Sequence, residues 1–240
     1  IPKPPAEKAG LDIRALLEEH AGRNYELHAE HVNPANVRTL KTIGFDRCYV
    51  RAEGPYLWDV QGNQYLDMLS GYGVFGLGRN HPEVRRVLHE FLDLNYPSLV
   101  KMEAPLLSGL LAEQLKKRMP NQLDMVFFTN SGSEANDTVV KLVWYYNNIV
   151  GRPEKKKIIS RRGAYHGITV AAASLTGLQY AHTAFDLPIA NIIHTDCPHH
   201  YHFAQEGESE ADFAKWLAAN LEQLIETEGP DTIAAFIAEP

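Results

Sequence analysis

The chain has 240 residues, of which 45% are hydrophobic and 22% charged, with a formal net charge of −7; this is the make-up of a soluble globular protein able to bury a sizeable core. The acidic balance argues against sequence-independent nucleic-acid binding, which relies on Lys and Arg neutralising phosphates, and no stretch approaches the roughly 20 apolar residues of a membrane span. Two distant cysteines, Cys48 and Cys197, exclude a disulfide scaffold and point to a reducing cytoplasm.

Residues 1–30 are polar, with no signal-peptide pattern at Ile1-Pro2-Lys3. One amphipathic stretch, Leu11 to Ala21, predicts a short helix. From Cys48 to Asp67 the turns Gly54-Pro55 and Gln61-Gly62-Asn63 predict a meander of short strands. Asn80-His81-Pro82 opens a helix to about Leu94, and a second is expected from Ala104 to Met119. Beyond it, strands are predicted at Asp124–Thr129, Lys156–Ser160, Ile192–Thr195 and Thr232–Ala238. Helices are predicted at Ser133–Val150, with Ala135, Val139, Leu142, Val143 and Tyr146 on one face, and at Glu208–Glu228. Alternating strands and helices predict an α/β fold: three αβα layers around a mostly parallel sheet. A final apolar strand with nothing after it to cover it suggests a piece of a longer protein.

Three strand ends carry chemistry. Asn130-Ser131-Gly132-Ser133-Glu134-Ala135-Asn136 follows the first strand and opens a helix. Backbone amides and the positive end of a helix make an anion site suited to phosphate, and Ser133 adds a hydroxyl. Ser131 and Glu134 also have capping-box spacing, so the run equally serves as a good helix start. Gly163-Ala164-Tyr165-His166-Gly167 sits at the carboxyl end of the next strand, where ligands of parallel sheets collect. Tyr165 can stack on a flat heterocycle there or be an ordinary core aromatic, and His166 a loop residue. Glu239, in Ala238-Glu239-Pro240, ends an apolar strand with a carboxylate, which calls for a polar cavity.

In this order and spacing these motifs resemble the class III aminotransferases, from about residue 40 to the end. Tyr56-Leu57-Trp58-Asp59-Val60, Tyr65-Leu66-Asp67 and Asn80-His81-Pro82 match as well. The resemblance implies an aspartate-aminotransferase-like fold, with residues 1–75 in the smaller domain and 76–240 the first part of the large cofactor domain. It implies pyridoxal 5'-phosphate, with Ser131, Gly132 and Ser133 at the phosphate, Tyr165 on the ring, His166 beside it and Glu239 in the ring's polar network. Tyr72 and Phe75 would line the substrate pocket. The expected reaction moves an amino group from an amine or omega-amino acid to a keto acid such as pyruvate, in a cytoplasmic homodimer. Residues 121–240 look closest to the omega-amino acid–pyruvate branch. The first half looks nearer the ornithine and acetylornithine branch and lacks the tryptophan the omega branch often carries after Ser70-Gly71.

The family's chemistry also needs a lysine that forms a Schiff base with the cofactor and an aspartate on the ring nitrogen. Both are expected beyond the Glu-Pro at the end of this chain, so no catalytic residue is assigned within it and the chain alone is expected not to turn over. Gly71-Tyr72-Gly73-Val74-Phe75-Gly76 also fits a dinucleotide-binding fingerprint, which would make the protein an NAD-dependent oxidoreductase. Its context is poor, since the helix signal waits until Asn80. His194, His199, His200 and His202 lack the Cys or carboxylate that would complete a zinc site, so no metal is expected. A non-catalytic partner built on an aminotransferase-like fold is the remaining alternative.

Overall fold

Three short helices open the chain: α1 Ile13–Glu19, α2 Asn24–His31 and α3 Pro34–Thr42. Their caps explain two of the starts. Asp12 accepts from the amides of Arg14 and Ala15 at 3.1 and 3.0 Å, and Asn33 accepts from Asn36 N at 3.0 Å just before Pro34. The fold comes from a computed structural model that describes residues 10–97, 100, 102–120 and 122–239. They gather into two compact units, one up to Met102 and one from Glu103.

The first unit continues with an antiparallel sheet, β1 Tyr49–Glu53, β2 Tyr56–Asp59 and β3 Gln64–Leu66, in that order. Its second turn is organised by one buried carboxylate. Asp59 accepts from Gln61 N, Asn63 N, Asn63 Nδ2 and Tyr65 OH, all within 3.0 Å. The bond from the Asn63 side chain leads the causes that hold the Asp59 carboxyl below the usual range. The loop from Asp67 to Arg79 then leads to α4, Pro82–Asp93. The meander and this helix are where the sequence predicts them.

The second unit holds α5 Leu106–Lys116, α6 Gly132–Ile149, β4 Lys157–Arg161, α7 Val170–Leu175, β5 Ile192–Thr195, α8 His200–Phe203, α9 Glu210–Glu228 and β6 Ile233–Phe236. Its sheet is wholly parallel, in the order β5-β4-β6, with Ile158 level with Ile192 on one side and Ala235 on the other. Val140, Ile158, Leu175 and Ile192 form the core, with Val143, Trp144 and Ile189 packed around them. Each such side chain contributes about 1.5–3 kcal/mol by leaving water. Helices α6 and α7 pack on this side of the sheet and α9 packs on β5, so the α/β layering has the form the alternation predicts.

Two expectations need correction. The strand expected at Asp124–Thr129 does not form. Among the described residues no strand lies beside it, so its backbone has no ladder to join, and Met125 and Phe127 stay exposed. The apolar face of α6 is also rotated. Val140 and Asn147 are the buried residues, with Val143 and Trp144 against the core, a stripe at i, i+3, i+4 and i+7. Val139, Leu142 and Tyr146 are exposed. The helix carries two overlapping apolar stripes, and the sheet lies under the one that includes Trp144, whose Nε1 donates to Lys156 O at 2.9 Å.

A candidate cofactor site at the carboxyl ends of the parallel strands

Helix α6 opens on a capping arrangement. Ser131 Oγ accepts from Glu134 N at 3.2 Å, and Glu134 Oε2 reaches back to accept from Asn130 N at 2.7 Å. These bonds leave the amides of Gly132 and Ser133, the helix's first, with no intrahelical acceptor. One turn can therefore serve as both capping box and anion cradle: capping uses Ser131 and Glu134 and leaves the Gly132 and Ser133 amides without an acceptor among the described residues.

The loop after β4 is tied onto this opening. Ser133 Oγ accepts from Ile168 N at 3.1 Å, and Asn136 Nδ2 donates to His166 O at 2.7 Å. Asp137 Oδ1 accepts from Thr169 Oγ1 and Ala172 N at 2.7 and 2.9 Å, which fixes the start of α7. Gly167 makes the approach possible. It has φ 135, and a β carbon there would stand 2.4 Å from Ser133 Oγ and 2.9 Å from Ser133 Cα. Gly177 does the same at the far side: a β carbon would meet Arg161 O at 2.1 Å, while Gly163 and Ala164 are bonded to Gly177 at 2.9 Å each.

The chain after β6 reaches the same loop. Glu239 Oε1 accepts from Tyr165 N at 2.9 Å, and Arg161 Nη2 donates to Glu239 O. Glu239, Arg161, Arg162, Cys197 and His199 line an open cavity of about 570 Å³, and the Glu239 carboxylate, at a strand end, stays exposed. Hydrogen bonds thus tie the loop carrying Tyr165 and His166 to Ser133 and Asn136 of α6 on one side and to Glu239 on the other, and Ser131 and Gly132 adjoin Ser133 in the chain. Tyr72 and Phe75 belong to the first unit.

His166 is the unusual member. It is 8% exposed, its amide donates to Thr176 Oγ1 at 2.9 Å, and its Nε2 is buried without a partner among the described residues. Burial lowers its pKa, the nearby Glu239 carboxylate pulling it the other way, so the ring is neutral at neutral pH. An orphaned buried polar atom costs about 1–3 kcal/mol unless something supplies its partner. With free amides at a helix start, a hydroxyl whose proton is not used by Ile168, and a half-exposed tyrosine ring, the arrangement fits a group carrying both a phosphate and a polar flat ring.

Sequence reasoning missed Asn136, Asp137, Thr169 and Thr176, which hold the loop in place. Asn136 and Asp137 stand in the first turns of α6, where polar residues are a signal, but their partners are about 30 residues away. The other candidates do not assemble. The Gly71–Gly76 run follows a strand of an antiparallel sheet and contains no helix start, α4 beginning only at Pro82, so the dinucleotide fold is absent there. The His199 and His202 rings lie 4.3 Å apart, tilted by 38°, and His200 Nε2 bonds Glu208 O. No group of three or more His, Cys, Asp or Glu suited to a metal occurs among the described residues. No helix of the described residues is long and apolar enough to cross a membrane.

Fold and site together define an α/β protein with a helix start and two loops gathered at the carboxyl ends of a parallel sheet. Residues 40–240 match the family described as Aminotransferase class-III, and the chain belongs to that family. It is 51% identical over 194 residues to gamma aminobutyrate transaminase 3, chloroplastic, from Solanum lycopersicum, covering 79% of this chain and 37% of that protein. It is 50% identical over 192 residues to probable gamma-aminobutyrate transaminase 2, mitochondrial, from Oryza sativa subsp. indica, covering 79% and 39%. Among solved structures, the omega transaminase from Pseudomonas jessenii in complex with PMP aligns with a TM-score of 0.75 at 48% identity, over 86% of this chain and 46% of that one. The chain spans about two fifths of the length of the curated relatives it matches.

Proposed function

We propose that the full-length protein is a pyridoxal-phosphate-dependent aminotransferase that moves an amino group from an amine or omega-amino acid to a keto acid such as pyruvate. The observation that carries this reading is the tie between the two halves of the cradle, Ile168 N to Ser133 Oγ and Asn136 Nδ2 to His166 O. That tie sets the Tyr165 loop beside the free amides of Gly132 and Ser133. When bound, pyridoxal phosphate supplies a carbonyl that takes up the amino group and a ring that withdraws electrons from the bonds being broken.

The chain's own residues bind and orient. Gly132 and Ser133 amides would hold the phosphate at the positive end of α6, with the Ser133 hydroxyl, which accepts from Ile168 N, as a further donor. Tyr165, whose ring is exposed beside this start, would cover the flat ring. Neutral His166 offers Nε2 as a hydrogen-bonding atom without adding a charge. Glu239 keeps one carboxylate oxygen free after accepting from Tyr165 N, for the polar network around the ring. The covalent lysine is not assigned here: Lys156 and Lys157 sit at the amino end of β4, engaged by Asn148 and Glu228, far along the strand from this loop. Tyr72 and Phe75 are the proposed substrate contacts, residues 1–75 the smaller-domain segment and 76–240 the first part of the cofactor domain. Homodimer formation follows the family pattern. The two free cysteines, Cys48 and Cys197, suit a reducing compartment, which we read as the cytoplasm, although plant relatives carry mitochondrial and chloroplastic names.

The test is transfer itself. The full-length protein loaded with pyridoxal phosphate should convert pyruvate to alanine with an amine donor, and Ser133→Ala should weaken cofactor retention about ten- to a hundredfold, the loss of one hydrogen bond to a charged group. The 240-residue chain should bind the cofactor weakly and give no sustained transfer. Retention of NAD instead, with no amino transfer by the full-length protein, would end this reading.

A further inference from the structure

Between β3 and α4 the backbone leaves the sheet at Asp67 and returns at Arg79, and both points are stitched to one hairpin turn. Asp67 N donates to Pro55 O at 2.8 Å, and Arg79 exchanges two 2.9 Å bonds with Gly54. Their side chains close the neck: Arg79 Nε donates to Asp67 Oδ2 at 2.7 Å, and the carboxylate is 8% exposed. An excursion of this size with its ends together is an Ω-loop.

Its interior is unusual. Four successive residues, Ser70, Gly71, Tyr72 and Gly73, have φ of 48, 60, 57 and 87. Side chains of L-residues take up this left-handed region only when the surroundings enforce it. The enforcing contacts run back to the neck. The second oxygen of Asp67 accepts from Ser70 N at 2.9 Å, at the first left-handed residue. The Arg79 guanidinium lies 4.1 Å over the Phe75 ring. Gly71 backs onto that ring so closely that a β carbon would stand 2.9 Å from it, and Phe75 N donates to Ser70 O at 3.1 Å. Phe75 is thereby held within the loop, while Tyr72 is 90% exposed.

We propose that the Asp67–Arg79 pair is a positioning device that holds the turn 70–73 in its left-handed form and so fixes where Tyr72 stands as a wall of the substrate pocket. The second clause rests on the reading of Tyr72 as a substrate contact; the first does not. Asp67 reaches the turn through its backbone and Arg79 through the face of Phe75, so either side chain alone is insufficient.

The experiment uses the full-length protein with Asp67→Asn and Arg79→Lys, measuring amide exchange by peptide and KM and kcat for an amine donor. Asp67→Asn should speed exchange at 70–75 by about tenfold, as loss of one charge-assisted bond implies, and leave β1–β3 unchanged. KM should rise several-fold with kcat nearly constant, the sign of a contact made equally in ground and transition states. Arg79→Lys keeps a charge for Asp67 but not the flat face on Phe75, and should fall between. Unchanged exchange at 70–75 would overturn the proposal, and so would a rise spread equally over β1–β3. Faster loop exchange with an unmoved KM would uphold the clamp and remove Tyr72 from the substrate pocket.

Discussion

The two sheets of this protein are held by opposite means. In the second unit, β4 lies between two parallel neighbours and its centre is apolar: Ile158, Ile159, Val140, Leu175 and Ile192 are all buried. Among the described residues of the first unit the antiparallel meander has no such cluster, and its order comes from two carboxylates, Asp59 at the turn and Asp67 at the loop neck. Burial of apolar area is non-directional and tolerates imprecision, whereas a charged hydrogen-bond hub fixes a backbone geometry and fails when one partner goes. A rigid strand end suits a cofactor cradle, and a hub-held loop suits a surface that presents one side chain.

The largest effect is expected in the apolar core of the second unit. Leu175→Ala should cost about 3 kcal/mol by emptying the core between α7 and β4, read in denaturant unfolding, with exchange in β1–β3 unchanged. Gly167→Ala should cost about 2 kcal/mol, because the new methyl group collides with Ser133, and it should reduce pyridoxal phosphate binding more than Leu175→Ala does at matched stability. Ser131→Ala should cost about 1 kcal/mol through the lost cap, measured by thermal unfolding, with cofactor affinity changed less than in Ser133→Ala.

The smallest effect is an order of events in acid. Burial lowers the pKa of His166, and also that of His194, beside which His182 stands. The unfolded chain then binds the extra protons first, so the stability these residues lend is complete above the ordinary histidine value near 6.5 and is lost as pH falls below it. Asp67 is held low chiefly by Arg79 and Asp59 chiefly by Asn63. Their contribution is complete above the ordinary carboxylate range and is lost as pH falls through their lower folded values. Amide exchange followed from pH 7 downward should therefore show the second unit loosening before the first. The reverse order would sink the account of the two sheets.

Much of the second unit was legible because its signals are local. β4, β5, β6, α6 and α9 announce themselves by apolar runs and periodicity, and the three motifs lie at the ends of the elements that carry them. The Asp124–Thr129 strand read well and did not form, since a strand is specified by its neighbours as much as by its own residues. The face of α6 was misread because two apolar stripes share Val143, and only the position of the sheet chooses between them. Helix α3 was missed although Asn33-Pro34 is an ordinary start signal. The bonds from Asn136, Asp137 and Thr176 that join the cradle, and the Asp67–Arg79 neck, link residues too far apart in sequence for any local pattern to pair them.

The backbone of Tyr72 changes how a mutational series at that position should be scored. Alanine would delete the ring and keep the same unfavourable torsion, so it reports the aromatic contact alone. Glycine would delete the ring and also release the torsion, gaining about 1–2 kcal/mol of backbone energy. Asparagine, the side chain most tolerant of this torsion, lies between. The gap between the alanine and glycine variants, once the ~0.5–1 kcal/mol that glycine's freer unfolded chain costs is added back, reads how much energy the loop stores to hold one tyrosine in the open.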